Sequence, residues 1–185
     1  MVGVLGAVVH MPSAGHAGTV SATRPMASAD TALDPGLKVK YYSRTLSRLR
    51  ELRDWMGYKK GKEGPPLPSL DYPETKGPVL TATQTDQVGA SIEGAIRFSE
   101  AGTYRFKVLS NDGVQVDIAG KKLLKDDRPH KARFSEEGTV KVEAPGWYPI
   151  HVLYFEKNGN AALQLHWVTP SGGGYTVVPA EAFGH

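Results

Sequence analysis

Short segments of alternating apolar and polar residues, separated by turn sequences, fill the chain from residue 88 onward. In residues 104–108, 114–118 and 163–167 every second side chain is apolar, which is the period of a strand with one buried face. In residues 150–155 most of the intervening side chains are apolar as well, so we expect that strand to be covered on both faces. Strands spaced this regularly predict an all-β domain, an antiparallel β-sandwich or barrel.

The composition supports one β-rich domain and excludes cysteine chemistry. The 185 residues, of which 40% are hydrophobic, suffice for one domain with a substantial core. The 21 glycines and 13 prolines indicate many turns and little helix. Because the chain has no cysteine, disulfides, thiolate catalysis and cysteine-ligated zinc sites are excluded.

The segment before this domain is predicted to be a signal followed by a linker. Val2–Val9 is an apolar run too short to span a bilayer, and Gly15-His16-Ala17 has the small-x-small form of a cleavage site. Residues 1–17 therefore resemble a secretory signal that lacks its basic start, and the alternative is an apolar tail. Residues 18–36 are small and polar, so we expect an extended arm or linker, and a periplasmic or secreted protein.

A basic helix and a Pro/Gly-rich loop interrupt the start of the β domain, which we place at residues 37–185. Residues 37–62 hold nine Lys or Arg against two Asp or Glu. The leucine spacing predicts one short helix at 43–57, capped by Ser43, and a loop at 58–78. The basic side chains form either a solvated face or a surface for an acidic partner, but no nucleic-acid motif accompanies them. The candidate partner-binding residues are Arg44, Arg48, Arg50, Arg53, Lys59 and Lys60.

The motif Asn111-Asp112-Gly113 is the main candidate for a functional loop. These residue types are typical of turns, because Asn and Gly tolerate positive φ. Alternatively, their oxygens bind a metal ion, since calcium takes roughly six to eight oxygen ligands. A second acidic pair, Asp126-Asp127, precedes Arg128-Pro129 and is expected to be a solvated turn unless its loop folds back to add carboxylates.

The order of the motifs along the chain resembles a known family. "GLKVKYY" is followed by "FSEAGTYRFKVLSNDGVQVDIAGKKLL", then by "GWYPIHVLYFEKNGNAALQLHW" and "YTVVPAEAF". Over residues 36–183 this pattern is similar to the protective-antigen-type β-barrel domain, found in adhesins, flocculins and glycosidases. The resemblance implies a β-sandwich with no catalytic apparatus. It also implies, for many members, carbohydrate binding through a calcium ion held by two adjacent aspartates and a neighbouring loop.

Under this resemblance the aspartate pair falls on Asn111 and Asp112, and the second loop falls on residues 156–160. Asn111 removes one negative charge and Lys157 adds a positive one, so we expect weak calcium binding or none, with the loop kept mainly as a turn. Aromatic residues near a sugar would stack on its face unless they pack in the core. The residues assigned to the ion are Asn111, Asp112, Asn158 and Asn160, and those assigned to stacking are Trp147, Tyr148 and Tyr175.

The sequence contains no recognisable enzyme motif. Its six histidines form no HExxH-type spacing, and no serine lies in a G-x-S-x-G context. His151 and His166 lie in adjacent strand patterns, where an outward-facing pair is favoured over a metal site. The acidic pairs Asp126-Asp127 and Glu136-Glu137 are too close in sequence to be a glycosidase pair. We therefore expect a non-catalytic domain.

Two functions remain open at this stage. One is an accessory or scaffold subunit of a larger exported assembly, for example the small subunit of a periplasmic membrane-bound dehydrogenase complex. The other is a calcium-dependent carbohydrate-binding, lectin-like module. The sequence favours the first, because the arm, the basic segment and the Pro-rich loop are features that a larger protein subunit would explain.

Overall fold

The computed structural model describes residues 15–185, which form two β-sheets enclosing a hydrophobic core, with one α-helix against the outside. The predicted all-β sandwich is confirmed. The elements in chain order are β1 (His16–Ala17), β2 (Thr19–Ala22), β3 (Lys38–Ser43), α1 (Leu49–Tyr58), β4 (Lys62–Glu63), β5 (Asp71–Thr75), β6 (Val88–Phe98), β7 (Gly102–Asn111), β8 (Val114–Ile118), β9 (Lys121–Asp126), β10 (Arg133–Phe134), β11 (Gly138–Val142), β12 (Gly146–Glu156), β13 (Ala161–Thr169), β14 (Gly172–Val177), a 3-10 turn (Ala180–Ala182) and β15 (Phe183–Gly184).

The strands are divided between two sheets, which we call sheet A and sheet B. Sheet A has the order β1-β9-β8-β12-β6-β3-β4, with β15 also pairing with β6. Sheet B has the order β14-β13-β7-β11-β2, with β10 pairing with β7 and β5 with β13. Among the described strands the pairing is antiparallel except between β2 and β11, which run parallel.

Aromatic side chains fill the space between the sheets. Phe98 lies at the centre, and its ring centroid is 4.5 Å from that of Tyr104, 5.5 Å from Tyr148 and 6.2 Å from Phe106. All four residues are completely buried. Tilted and edge-on aromatic pairs of this kind contribute about 0.5–1.5 kcal/mol beyond the burial of their area.

Strand β12 is the central strand of sheet A. It pairs with β6 along its whole length, and residues 150–154 pair with β8 on the other side. Val152 and Tyr154 belong to the core between the sheets, whereas Leu153 and Phe155 lie in a second buried cluster beneath α1. The expectation that this strand is covered on both faces is therefore correct.

Helix α1 packs its leucines on the outer face of sheet A. It begins at Leu49, later than the predicted start at residue 43, because Ser43 still belongs to β3 and pairs with Val88. Leu49 and Leu52 are fully buried, and a Cβ on Gly89 beneath them would lie 2.5 Å from Leu52 Cδ1. No helix within residues 15–185 is long and apolar enough to cross a membrane.

The predicted arm of residues 18–36 is incorporated into the sandwich. Val20 and Ala22 alternate with exposed neighbours and are 1% exposed, because β2 extends the edge of sheet B beside β11. Further along, Met26 N–H donates to Trp147 O at 2.8 Å, and Asp34 exchanges two backbone hydrogen bonds with His185. Of the predicted signal segment, residues 1–14 lie outside the described part of the chain, and His16–Ala17 form β1 beside β9.

The Pro/Gly-rich loop of residues 58–78 is also anchored to the domain. Its strand β4 pairs with β3, and β5 pairs with β13. Leu67 and Leu70 are buried, and Leu67 exchanges two backbone hydrogen bonds with Leu37, at 2.8 and 2.9 Å. The loop therefore connects the two sheets and contributes to the core.

If the arm belongs to the fold, substitutions in it destabilise the isolated domain. We expect Val20→Ala to lower the free energy of unfolding by about 2 kcal/mol, because it removes buried methyl groups between the sheets. Ser21→Ala is the matched control, since Ser21 lies next to Val20 on the exposed face of the same strand. Urea denaturation of both variants measures the effect, and equal stability of the two would contradict the role of the arm.

Candidate functional site

Several polar loops meet at one end of the sandwich, which we call the loop end. Asn111, Asp112 and Gly113 connect β7 to β8, and residues 156–160 connect β12 to β13. Phe155 N–H donates to Gly113 O at 3.0 Å, so the two connections lie side by side. The Asn111–Asp112 peptide bond is cis.

Asp112 holds the surrounding loops together. Its Oδ1 accepts a hydrogen bond from His130 N–H at 2.7 Å, and its Oδ2 accepts one from Lys157 N–H at 3.0 Å. The residue is 5% exposed, so its charge lies largely out of the solvent and is stabilised by these two donors. Each carboxylate oxygen keeps further lone-pair capacity for another ligand.

Glu74 from β5 orients the two asparagines on either side of the loop end. Its Oε1 accepts hydrogen bonds from Asn111 Nδ2 at 3.4 Å and from Asn160 Nδ2 at 3.2 Å. Because each amide nitrogen is used in this way, each side-chain oxygen, Oδ1, is left to accept a donor or to bind a cation. The Pro/Gly-rich loop thus supplies a residue of the site.

Glu156 is the most unusual residue of the loop end. It is fully buried, and within the described part of the chain its carboxyl oxygens have no well-formed hydrogen bond, although the backbone N–H of Asn158 approaches them. Burial, together with the nearby negative charges of Asp112 and Asp86, raises the pKa of the Glu156 carboxyl to about 8. A buried ionisable group without a well-formed hydrogen bond is costly in either protonation state, so Glu156 calls for an explanation.

The loop around Glu156 is itself fixed by neighbouring polar groups. Asp86 Oδ1 accepts a hydrogen bond from Gly159 N–H at 2.7 Å, and the Tyr154 hydroxyl donates to Asn111 O. Burial raises the pKa of Tyr154 well above its ordinary value, so it stays a neutral donor. The connection between β12 and β13 is therefore held in one position relative to Asn111.

All four residues assigned to a metal ion lie in the connections of the loop end, and side-chain hydrogen bonds tie three of them, Asn111, Asp112 and Asn160, to neighbouring groups. Asn111 and Asn160 share Glu74, and Asp112 binds the backbone of the opposite loop. The side chain of Asn158 is exposed. Within residues 15–185 no group of three or more His, Asp or Glu side chains is placed to hold a metal. A cation here would therefore depend on the carboxylates of Asp112 and Glu156 together with amide and carbonyl oxygens.

The sequence assignment missed Glu74, Asp86 and Glu156. For Glu156 a signal was present, because the alternation of Val152 and Tyr154 continues inward to residue 156. A carboxylate at an inward position next to a turn motif is a candidate ligand. Glu74 and Asp86 come from segments that carry no periodic pattern, so only the folded chain shows that they approach the loop end.

The aromatic residues assigned to stacking lie away from the loop end. Tyr148 is in the core, with its hydroxyl on Ala144 O at 2.7 Å, and cannot reach a ligand. Trp147 is 6% exposed and lies beneath the arm, where its Nε1–H donates to Thr31 O at 2.9 Å. Tyr175 is on β14, which pairs with the opposite half of β13 from Asn160. Packing thus explains the positions of Trp147 and Tyr148, and the place of β14 in sheet B explains that of Tyr175.

The six basic residues assigned to a partner are exposed, and most of them contact the domain itself. The guanidinium of Arg44 lies 4.1 Å from the ring centroid of Trp55, and Lys59 Nζ lies 5.9 Å from it. Arg48 is 4.0 Å from the Asp127 carboxylate, and Arg53 donates to Gln115. The remaining two residues, Arg50 and Lys60, are also exposed.

The second acidic pair has structural contacts. Asp126 accepts two hydrogen bonds from Arg133, at 2.6 and 3.0 Å. Asp127 Oδ1 accepts the backbone N–H of Leu49 at 3.1 Å, so a distant loop caps the first turn of α1. The pair is therefore not a free turn, and its carboxylates are used away from Glu156.

Comparisons with solved structures show which folds are similar. The PA14 domain of the antifreeze protein MpAFP is 20% identical with a TM-score of 0.69, covering 83% of this chain and 92% of that one. The PA14 sugar-binding domain of an RTX adhesin is 18% identical with a TM-score of 0.63, covering 82% and 99%. The Epithelial Adhesin 9 A domain of Candida glabrata, in complex with Galβ1-3GlcNAc, is 13% identical with a TM-score of 0.66, covering 88% and 95%.

Sequence comparisons identify a family but no individual curated relative. A search of curated proteins found no significant match. The family model of the PA14 domain, in contrast, matches residues 75–181, which is more than half of the chain. This range contains β6 to β14 and almost all of the loop end. The chain therefore belongs to the PA14 domain family.

Proposed function

We propose that this domain binds carbohydrate through a calcium ion at the loop end. The observation that carries the proposal is the buried carboxyl group of Glu156, which has no well-formed hydrogen bond within the described residues and lies near Asp112. Calcium prefers oxygen ligands and needs negative charge around it. A bound cation would supply the partner that Glu156 lacks and would neutralise its repulsion with Asp112 and Asp86.

The residues available to the ion come from both loops. Glu156 and Asp112 would provide carboxylate oxygens, and Asn111 would provide its Oδ1 because Glu74 holds its amide nitrogen. Backbone carbonyls and the Asn160 amide of the 156–160 loop are the remaining candidates. Sugar hydroxyls are suitable ligands for the open positions, since calcium accepts neutral oxygens beside carboxylates.

The similar structures support this proposal. One is named as a sugar-binding domain, and another holds a bound disaccharide. Both belong to adhesins, which also supports an exported location, periplasmic or secreted, for this chain. Asn111 gives the first loop one negative charge fewer than two aspartates would, but Glu156 offers a carboxylate at the second loop. We therefore favour calcium binding over a turn without a bound ion.

A second candidate is the scaffold subunit of a larger assembly. The arm and the Pro-rich loop no longer need a partner, because both are held by the domain. The observation that favours a protein partner is the cationic end of α1, where Tyr58 is 82% exposed next to Lys59 and Lys60. Tyrosine is enriched in protein interfaces, and the two lysines are complementary in charge to an acidic partner.

Calcium binding depends on Glu156. We expect the wild-type domain to bind calcium in isothermal titration calorimetry and Glu156→Gln to lose about tenfold or more in affinity, because the ion loses a charged ligand. Glu136→Gln is the control, since Glu136 is an exposed glutamate away from the site. A glycan array in calcium and in EDTA then tests the ligand. If calcium binds but no glycan gives a signal, the proposed sugar ligand is wrong. If calcium does not bind, the proposed calcium site is wrong.

Calcium affinity depends on pH because the ion binds the ionised form of Glu156. With a pKa of about 8, Glu156 is mostly protonated at pH 7 and must release its proton on binding. The ionised fraction falls about fivefold from pH 8 to pH 7 and approaches a tenfold fall per unit at lower pH, so affinity should fall in the same way toward pH 6.5 and level off above about pH 9. Titrations over this range measure the slope. A flat profile would show that Glu156 does not bind the ion.

The scaffold hypothesis predicts that the cationic end of α1 retains a larger protein. Wild-type protein isolated from its native source should then co-purify with that protein, and Tyr58→Ala with Lys59→Glu should release it, because the variant removes apolar area and reverses a charge. Arg133→Ala is a control on another exposed surface. Isolation of the wild-type protein as a lone monomer would contradict the scaffold function.

A further inference from the structure

Three residues from three neighbouring strands form a polar row on the outer face of sheet A. Ser91 Oγ is 3.1 Å from His151 Nε2, and His151 Nδ1 is 3.7 Å from Asp117 Oδ2. Ser91 lies on β6, His151 on β12 and Asp117 on β8. In the sheet register His151 is directly opposite Asp117. Ser91 is opposite Leu153, two residues further along β12, so it lies on the same face as His151.

The carboxylate at the end of this row is held in place by its neighbours. Gln115 Nε2 donates to both oxygens of Asp117, at 2.8 and 2.9 Å, and Arg53 of α1 donates to the Gln115 oxygen. Burial acts to raise the pKa of Asp117, but the contacts with His151 and Gln115 outweigh it and lower the pKa below its ordinary value. Asp117 therefore faces Nδ1 of His151 as a fixed negative charge.

The row borders an open surface cleft. A cleft of about 460 Å³ is lined by Ser91, Lys40 and Glu63, and an adjoining one of about 480 Å³ is lined by His151. Lys38, Glu93 and His185 line both. Ser91 is only 3% exposed, and the first cleft is the side from which a ligand would approach its hydroxyl.

Lys40 adds a positive charge next to the serine. It is opposite Ser91 in the pairing of β3 with β6, and side chains that face each other across antiparallel strands lie on the same face, with Cβ atoms about 5 Å apart. An ammonium group at this position is suited to stabilising negative charge that develops on an oxygen bound at Ser91. The hydroxyl of Ser91 and the ammonium group of Lys40 thus line the first cleft, and the imidazole of His151 lines the adjoining one.

We propose that Ser91, His151 and Asp117 form a nucleophilic triad that hydrolyses a carboxylic ester bound in this cleft. Ser91 is the nucleophile, His151 the general base and Asp117 a positioning residue, which is the arrangement of groups in serine hydrolases on unrelated folds. The 3.7 Å separation of His151 from Asp117 is of the kind seen in ligand-free sites, where catalytic contacts are often long. The two lysines and two glutamates of the cleft balance in charge, so the substrate class is a polar, uncharged ester.

The reaction balances without any further reagent. With its Nδ1 proton directed to Asp117, His151 accepts the Ser91 proton at Nε2 as Oγ bonds to the ester carbonyl carbon. The negative charge on the carbonyl oxygen forms near Lys40. The bond to the alcohol oxygen then breaks, and the alcohol leaves with the proton from Nε2. Water, activated by His151 in the same way, releases the acid and restores the Ser91 hydroxyl.

Covalent labelling tests the nucleophile. We expect a fluorophosphonate probe to modify the wild-type protein at Ser91, identified by mass spectrometry of its peptide, and 4-nitrophenyl acetate to be hydrolysed. Ser91→Ala should remove the label, and His151→Phe should slow labelling about 100-fold or more, because the general base is absent. Ser110→Ala is the matched control, since Ser110 is a buried serine on β7 in sheet B.

Further measurements separate catalysis from folding and from the loop end. Asp117→Asn should lower kcat about tenfold or more with an unchanged KM, whereas a purely structural role would alter thermal stability and leave kcat unchanged. EDTA should leave labelling unchanged, because the triad is independent of the proposed calcium site. The proposal is overturned if the wild-type protein is not labelled at Ser91, or if Ser91→Ala with wild-type thermal stability retains the esterase rate.

Discussion

The pairing of β12 with β6 and β8 is the constraint on which the rest of the structure depends. This strand is paired on both edges and buried on both faces, so each of its residues has a fixed neighbour. Its successive parts carry different functions. Trp147 at its start anchors the arm, His151 in its middle belongs to the outer polar row, and Glu156 at its end closes the loop end. The same alternation that builds the core therefore decides which face of the protein each polar side chain reaches.

The loop end shows how two acidic residues of similar burial acquire different properties. Asp112 accepts two backbone N–H groups and so has its charge stabilised by the protein. Glu156 is approached by the backbone N–H of Asn158, but burial and the charges of Asp112 and Asp86 outweigh this contact and raise its pKa to about 8. If calcium binds as proposed, Glu156 releases its proton, and its carboxylate then replaces the charge that Asn111 removes from the first loop. The Asn111-Asp112 motif alone does not reveal Glu156, because the properties of this residue depend on a burial that the motif does not express.

Local periodicity was sufficient to predict the β-sandwich, but it was insufficient to predict the residues of the two proposed sites. The alternation in residues 104–108 and 150–155 predicts strands because burial on one or both faces leaves a direct pattern in the chain. Val20 and Ala22 are too short a run to show it, and they become a strand only because β11 offers an unpaired edge. Ser91, His151 and Asp117 are brought together by the register of three strands, which depends on long-range pairing. Glu74 reaches Asn111 and Asn160 through a proline-rich segment without any period, so its role follows from tertiary contacts alone.

The parallel pairing of β2 with β11 has a consequence for the order of folding. Thr19 pairs with Thr139, about 120 residues further along the chain, and Asp34 pairs with His185 at the other extreme of the sequence. Contacts that close such long loops form late, because the entropy of closure must be overcome before they contribute. We therefore expect the arm to dock on an edge that the C-terminal half has already built. Until that last step, the outer edge of β11 and the indole of Trp147 remain uncovered, so the final strand to join the sandwich is among the first to be synthesised.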